Sequence, residues 1–170
     1  MKKAKKIAVI AIFTALYYVL SVMLKIPIAG HITLDLGYIA LTVGAVYLGA
    51  IPAMLIGSLG ALLESATLSS RGVSPGWILM NAIVGLACGF VLHRTADGSR
   101  KRFWIFSVLT VLLSMFVGVV VKTLVDCAMY DLAIAAKIPS AAAAWIADSA
   151  VMLALGLPLS IALKGRIKLK

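Results

Sequence analysis

Negative charge is scarce in this chain, with only six Asp and Glu among 170 residues, and residues of either charge make up 13%. A soluble domain ordinarily carries about a quarter charged residues on a chain about half apolar. Here 63% of residues are hydrophobic and the mean hydropathy is +1.11, so a water-facing surface cannot be assembled. Lipid must be the solvent for most of the chain. Cysteine is limited to Cys88 and Cys127, both inside apolar stretches, where each reads as a small buried hydrophobe rather than a metal ligand or half of a disulfide. There is no glycine-rich phosphate loop of the GxxxxGKS/T type, which argues against ATP hydrolysis by the chain itself. HExxH is missing too, and Gly72-Val73-Ser74-Pro75-Gly76, which has the G-x-S-x-G spacing, lies in a loop between apolar runs rather than on a strand-to-helix turn, so no enzyme is expected.

What is abundant is long apolar runs. A spanning helix needs ~20 mostly apolar residues, with ~17 to 25 tolerated. The first run, 7–24, follows a basic start and lacks a clear small-x-small cleavage site, so it reads as an uncleaved helix rather than a signal peptide. The next block, 32–68, would be ~55 Å long as one helix against a ~30 Å hydrocarbon core. Gly49-Ala50-Ile51-Pro52 divides it into 32–49 and 51–68. Residues 69–76 read as a loop, 77–92 as a fourth span, and 93–102 as a basic loop. A long fifth span, 103–130, is separated by a break at 137–140 from a sixth at 141–163. The expected fold is an all-α membrane protein, a compact bundle of six transmembrane helices forming a single domain over residues 1–170.

Basic residues orient that bundle. Lys2, Lys3, Lys5 and Lys6 crowd the N-terminus, Arg94, Arg100, Lys101 and Arg102 the central loop, and Lys164, Arg166, Lys168 and Lys170 the C-terminus. Six spans put these twelve residues on one side, against Lys25, Arg71 and Lys137 on the other. The positive-inside rule makes the first side cytoplasmic, with both termini in, at the cell membrane. The net charge of +10 is therefore a topology signal, and no basic run interleaved with aromatics suggests nucleic acid.

Ionisable groups inside spans are costly and mark either a site or a structural pair. On this topology every acidic residue except Asp97 falls in the outer part. Asp35 opens the second helix, Glu64 ends the third, and Trp77 and Asn81 begin the fourth. Lys122 and Asp126 lie in the outer part of the fifth, and Trp145 and Asp148 in the first turns of the sixth. These eight form the candidate substrate-binding set, a few polar groups and aromatics in a mostly apolar concavity. Plainer readings stand beside this one. Lys122 and Asp126, spaced i, i+4, can neutralise each other on one helix face. Asp35, Asp131 and Asp148 can be helix caps, and Trp77 and Trp145 can be interfacial anchors. His31 reads as a loop residue, on the opposite side from His93, which argues against a metal pair. Glu64 has no sequence-local partner and is the strongest single candidate.

Small residues recur at helical spacing in the first span, at Ala4, Ala8, Ala11 and Ala15. Such faces let helices approach closely in lipid. Gly57, Gly60, Gly85 and Gly89 suit packing inside the bundle.

The order of these features resembles the substrate-binding S components of energy-coupling factor (ECF) vitamin transporters. Lys5-Lys6 followed by Ala11-Ile12-Phe13-Thr14-Ala15-Leu16 is similar to that family's AxxxA motif in the first helix. Ile32-Thr33-Leu34-Asp35-Leu36, Tyr47-Leu48-Gly49 and the Ser/Gly/Pro loop before the Asn81 helix are similar to its riboflavin-type branch. The resemblance implies uptake of a vitamin or related nutrient, and docking through Ala11 and Ala15 on a transmembrane coupling subunit powered by two ATPases. Two features depart from the branch. Ala50-Ile51-Pro52 follows Gly49 where a Gly-Pro pair is common, and Glu64 stands where a flavin binder would carry a neutral polar group, which leaves room for a cationic or amine-bearing substrate. The alternative from another class is a six-helix scaffold subunit of a cell-shape complex, which would need no outward cluster of charged and aromatic groups.

Overall fold

A computed structural model of the chain describes residues 3–24, 26–29, 32–68 and 72–163, with side chains described over 3–24, 34–68 and 72–163. Helix α1 is Lys3–Met23, followed by a short antiparallel hairpin of β1 (Ile26–Ala29) and β2 (Ile32–Leu34). Then come α2 (Gly37–Leu48), α3 (Ala50–Leu68), α4 (Pro75–Thr95) and α5 (Arg100–Tyr130). The last segment begins with α6 (Ile134–Val151), passes through a π-helical turn at Met152–Gly156, and ends with α7 (Leu157–Leu163). Five of these segments are long and apolar enough to cross a membrane, the last being the 30 residues Ile134–Leu163; α2 is a shorter apolar helix. The protein is a multi-pass helical bundle.

Two boundaries differ from expectation. Residues 32–34 do not open the second helix; they form β2, and α2 starts only at Gly37. The strand pairs with 26–29, Pro27 opposite Thr33, and the apolar run by itself cannot tell strand from helix. Residues 137–140 do not break the chain either, since they lie inside α6 with Pro139 in its second turn. A proline there forfeits one backbone hydrogen bond near a helix start, where neighbouring groups can compensate. Asp148 consequently sits about four turns into its helix rather than in the first. Both ends of the basic loop are also helical, leaving 96–99 as the connection. His31, Lys25, Arg71 and the C-terminal basic residues lie outside the described residues.

α4 packs between α3 and α5, and α1 and α2 close the bundle against α3 and α4. Contact between α3 and α4 is backbone to backbone. A Cβ on Gly85 would lie 2.5 Å from the Ala53 carbonyl oxygen, and one on Gly89 would lie 2.6 Å from the Ala50 Cα. The turn at Gly49, with φ of 85°, needs glycine for its left-handed backbone and lies against His93, whose Nδ1 meets the Val46 carbonyl oxygen at 2.8 Å. The core around these contacts is apolar: Leu41, Ile56, Met80, Val84, Leu92, Val111, Met115 and Leu157 are wholly buried. Side chains such as Leu113, Phe116, Leu109 and Ile12 face outward, as a lipid-solvated surface allows.

Candidate functional site

The ends of α3, α4 and α5 that carry Glu64, Trp77 and Lys122 meet α6 and the β2–α2 junction around one cavity of about 290 Å³. Six of the eight candidate residues line it: Asp35, Glu64, Trp77, Lys122, Asp126 and Asp148. Met80, Val119, Ala141 and Ala144 supply its apolar wall, and Thr123, Lys137 and Ser140 add polar groups that sequence reading did not single out. Along α6 the lining runs from Lys137 to Asp148, about 16 Å at the helical rise. Ser140 at one end is exposed, whereas Asp148 at the other is 3% exposed, so the cavity has a mouth and a floor.

Two of the floor carboxylates, Asp35 and Glu64, are held by identifiable donors. Asp35 Oδ1 accepts from the Ser21 hydroxyl at 2.6 Å and from the Gly37 backbone N–H at 2.8 Å, and Oδ2 accepts from the Tyr17 hydroxyl at 3.3 Å. It thus supports the first turn of α2 while also lining the cavity. Glu64 Oε2 accepts the Trp77 indole N–H at 3.2 Å, a partner 13 residues away that no helical spacing reveals. Lys122 and Asp126 form the expected i, i+4 pair at 3.0 Å, and the Lys122 ammonium also stands 5.9 Å from the Trp77 ring centroid. Ser74, which caps α4 by accepting from the Trp77 N–H, donates to Asp126 at 3.4 Å and so ties the start of α4 to α5.

Asn81 does not reach the cavity surface. It lies wholly buried one turn below Trp77, where its Nδ2 donates to the Trp77 carbonyl and its Oδ1 accepts from Tyr17 at 3.0 Å. Trp145 is directed elsewhere: its indole N–H donates to the Leu112 carbonyl at 3.0 Å and its ring meets Phe116 edge-on at 6.1 Å. It lines a separate apolar groove between α5 and α6 and not this cavity. The reason is angular. Ala141, Ala144 and Asp148 share the inward face of α6, while position 145 is turned about 100° from 144, toward α5.

Sequence reading also missed Tyr17 and Tyr38, which stand behind the floor. Both are wholly buried, and Tyr38 is packed edge-on between the Tyr17 and Trp77 rings at 6.1 and 6.4 Å. The Tyr38 hydroxyl has no hydrogen-bond partner among the described residues. A tyrosine in an apolar run gives no local signal, which is why neither stood out. Ala11 and Ala15 are exposed and border a different apolar groove, between α1 and α3, with Ile7, Leu55 and Leu59.

Residues 1–165 match the model of the family ECF-ribofla_trS, described as ECF-type riboflavin transporter, S component. The chain belongs to that family. It is therefore the substrate-binding subunit of an ECF vitamin transporter, and the scaffold alternative falls away. The fold is shared with a solved structure of ThiT from Listeria monocytogenes, at a TM-score of 0.75 and 19% identity, covering 98% of this chain and 97% of that one.

Proposed function

We propose that the cavity floored by Asp35, Glu64 and Asp148 is where this S component captures its substrate, at the outer face of the membrane. The observation that carries the reading is convergence: six residues singled out as polar or aromatic on five separate segments line one cavity. Separate stretches of chain would not bring four carboxylates to one concavity for packing alone, because buried charge is costly unless it has work or a partner. Riboflavin, which names the family, is the first vitamin to test.

The chain spans the bilayer six times with both termini in the cytoplasm, α2 being the short span. The basic N-terminal residues Lys3, Lys5 and Lys6 and the Arg94–Arg102 region support this orientation through the positive-inside rule. The cavity then opens outward. The exposed small-residue face of α1, with Ala11 and Ala15, docks on the transmembrane coupling subunit, and two ATPases supply the energy. Nothing in the proposed cycle asks for chemistry from this chain.

The test is Glu64→Gln in the detergent-purified protein. The amide keeps an oxygen for the Trp77 N–H, so the wall should stay intact while the charge is lost. Substrate affinity by calorimetry is expected to fall at least tenfold, ~1.4 kcal/mol. Unchanged affinity removes Glu64 from the site.

A further inference from the structure

Between α5 and α6 lies a second hollow, the apolar groove of about 270 Å³ that holds Trp145. Phe116, Val120 and Leu124 line it from α5, and Ile134, Ile138 and Trp145 from α6. Its polarity is slight: Thr123 brings a hydroxyl, and the Trp145 N–H is already taken by the Leu112 carbonyl. Leu109, Leu113, Phe116, Val120 and Leu124 follow one another three or four residues apart on α5, and all are exposed. The groove therefore continues a lipid-facing stripe of that helix.

Val119, Thr123 and Ala141 line both this groove and the cavity floored by Asp35, Glu64 and Asp148. The partition between the two hollows is thus a single layer of side chains. With the groove empty, those side chains would lack dispersion partners on two sides at once. The outer half of α6 needs such partners, since none of residues 134–146 is buried. Dimensions point to what supplies them. The α6 lining runs from Ile134 to Trp145, about 16 Å at the helical rise, and one leaflet contributes ~15 Å of the ~30 Å hydrocarbon core. Spread over that length, the volume makes a channel about 4 Å wide, too narrow for a helix ~10 Å across and suited to one hydrocarbon chain. Lys137 stands one turn before Ala141, on the ridge between groove and cavity at the outer end of α6. A phosphate attached to such a chain would lie beside its ammonium.

We infer that the groove binds one acyl chain of an outer-leaflet phospholipid, with the chain end against Trp145 and Phe116 and the phosphate beside Lys137. There the chain backs the wall of the cavity. The choice of leaflet rests on the orientation proposed above; the groove and its occupant do not.

The test titrates palmitoyl-oleoyl phosphatidylcholine into the purified full chain in digitonin, a detergent with no flexible alkyl chain. Native mass spectrometry is expected to show one retained lipid, and the melting temperature should rise by at least about 2 °C. Ala142→Trp puts an indole into the groove, so it should retain no lipid and gain no stability. Val120→Trp does the same from the facing wall, and either variant suffices if the other is misfolded. Ala15→Trp, in the α1 groove, should behave as wild type. A wild-type protein that retains no lipid, a lipid still retained in both groove variants, or one lost only in Ala15→Trp overturns the inference. The leaflet is tested separately by a membrane-impermeant maleimide on Ser140→Cys in intact cells, the native Cys88 and Cys127 being buried. Labelling without permeabilisation is expected. Labelling only after permeabilisation overturns the outer-leaflet assignment together with the proposed orientation, and leaves the acyl-chain site standing.

Discussion

Replacing Tyr17 by phenylalanine deletes one oxygen from the support behind the cavity floor. That hydroxyl has a single proton, shared between Asn81 Oδ1 at 3.0 Å and Asp35 Oδ2 at 3.3 Å. Its loss leaves both acceptors one donor short, although Asp35 keeps Ser21 and the Gly37 amide, and Asn81 keeps its own bond to the Trp77 carbonyl. Polar contacts between membrane helices average ~0.6 kcal/mol and reach ~1.7, while hydrogen bonds to charged groups run ~1.5 to 3. A cost of about 1–2 kcal/mol follows, or a melting temperature lower by roughly 2–8 °C for a chain of this size. Tyr17→Ala should cost more, about 3–5 kcal/mol, because the ring fills the space over Gly60 and its removal opens a void in the core. Thermal unfolding in detergent, followed by tryptophan fluorescence, reads both. Substrate affinity should also fall several-fold in Tyr17→Phe, since Asp35 loses part of its positioning. A Tyr17→Phe protein that melts within about 1 °C of wild type and binds normally would refute the role given to this hydroxyl.

Gly85→Ala should destabilise despite the better helix propensity of alanine, worth ~1 kcal/mol. Its Cβ would stand 2.5 Å from the Ala53 carbonyl oxygen, a backbone atom that cannot step aside, and such overpacking costs about 1–3 kcal/mol; a melting point at or above wild type would show that α3 and α4 can separate without penalty. Ala15→Trp should leave substrate binding intact in the purified chain while abolishing uptake in cells that contain the whole transporter. Normal uptake would exclude the α1 groove as the docking face.

Much of the bundle was legible because lipid imposes a simple grammar of apolar length and flanking charge. The end of α5 at Tyr130 agrees with the span drawn from sequence, and Asp131 explains the stop by taking the left-handed conformation at φ 50°. The errors arose where that grammar is silent. Pro139 looked like punctuation, yet near a helix start its missing N–H costs little enough for α6 to absorb it. The 26–34 hairpin is too short and too apolar for its period to be distinguished from a helix entry.

The site divides along similar lines. Asp35, Glu64, Lys122, Asp126 and Asp148 were visible because a charge inside an apolar run needs a reason. Trp145 was assigned with them as an aromatic in the first turns of the sixth span, but a large indole at the edge of a helix face can turn either way, and Leu112 and Phe116 claimed it. Tyr17 gave no sign, since its importance lies in partners 18 and 64 residues away.

The most direct test of the account is to plug the cavity. Ala144 lines it and Ala142, two residues away, faces the outer groove of α6. Binding of the small molecule released from the denatured wild-type protein is measured for Ala144→Trp and Ala142→Trp in matched detergent. Loss of binding in the first variant, with near wild-type affinity and melting temperature in the second, is the predicted result. Wild-type affinity in Ala144→Trp would contradict the claim that this cavity holds the substrate.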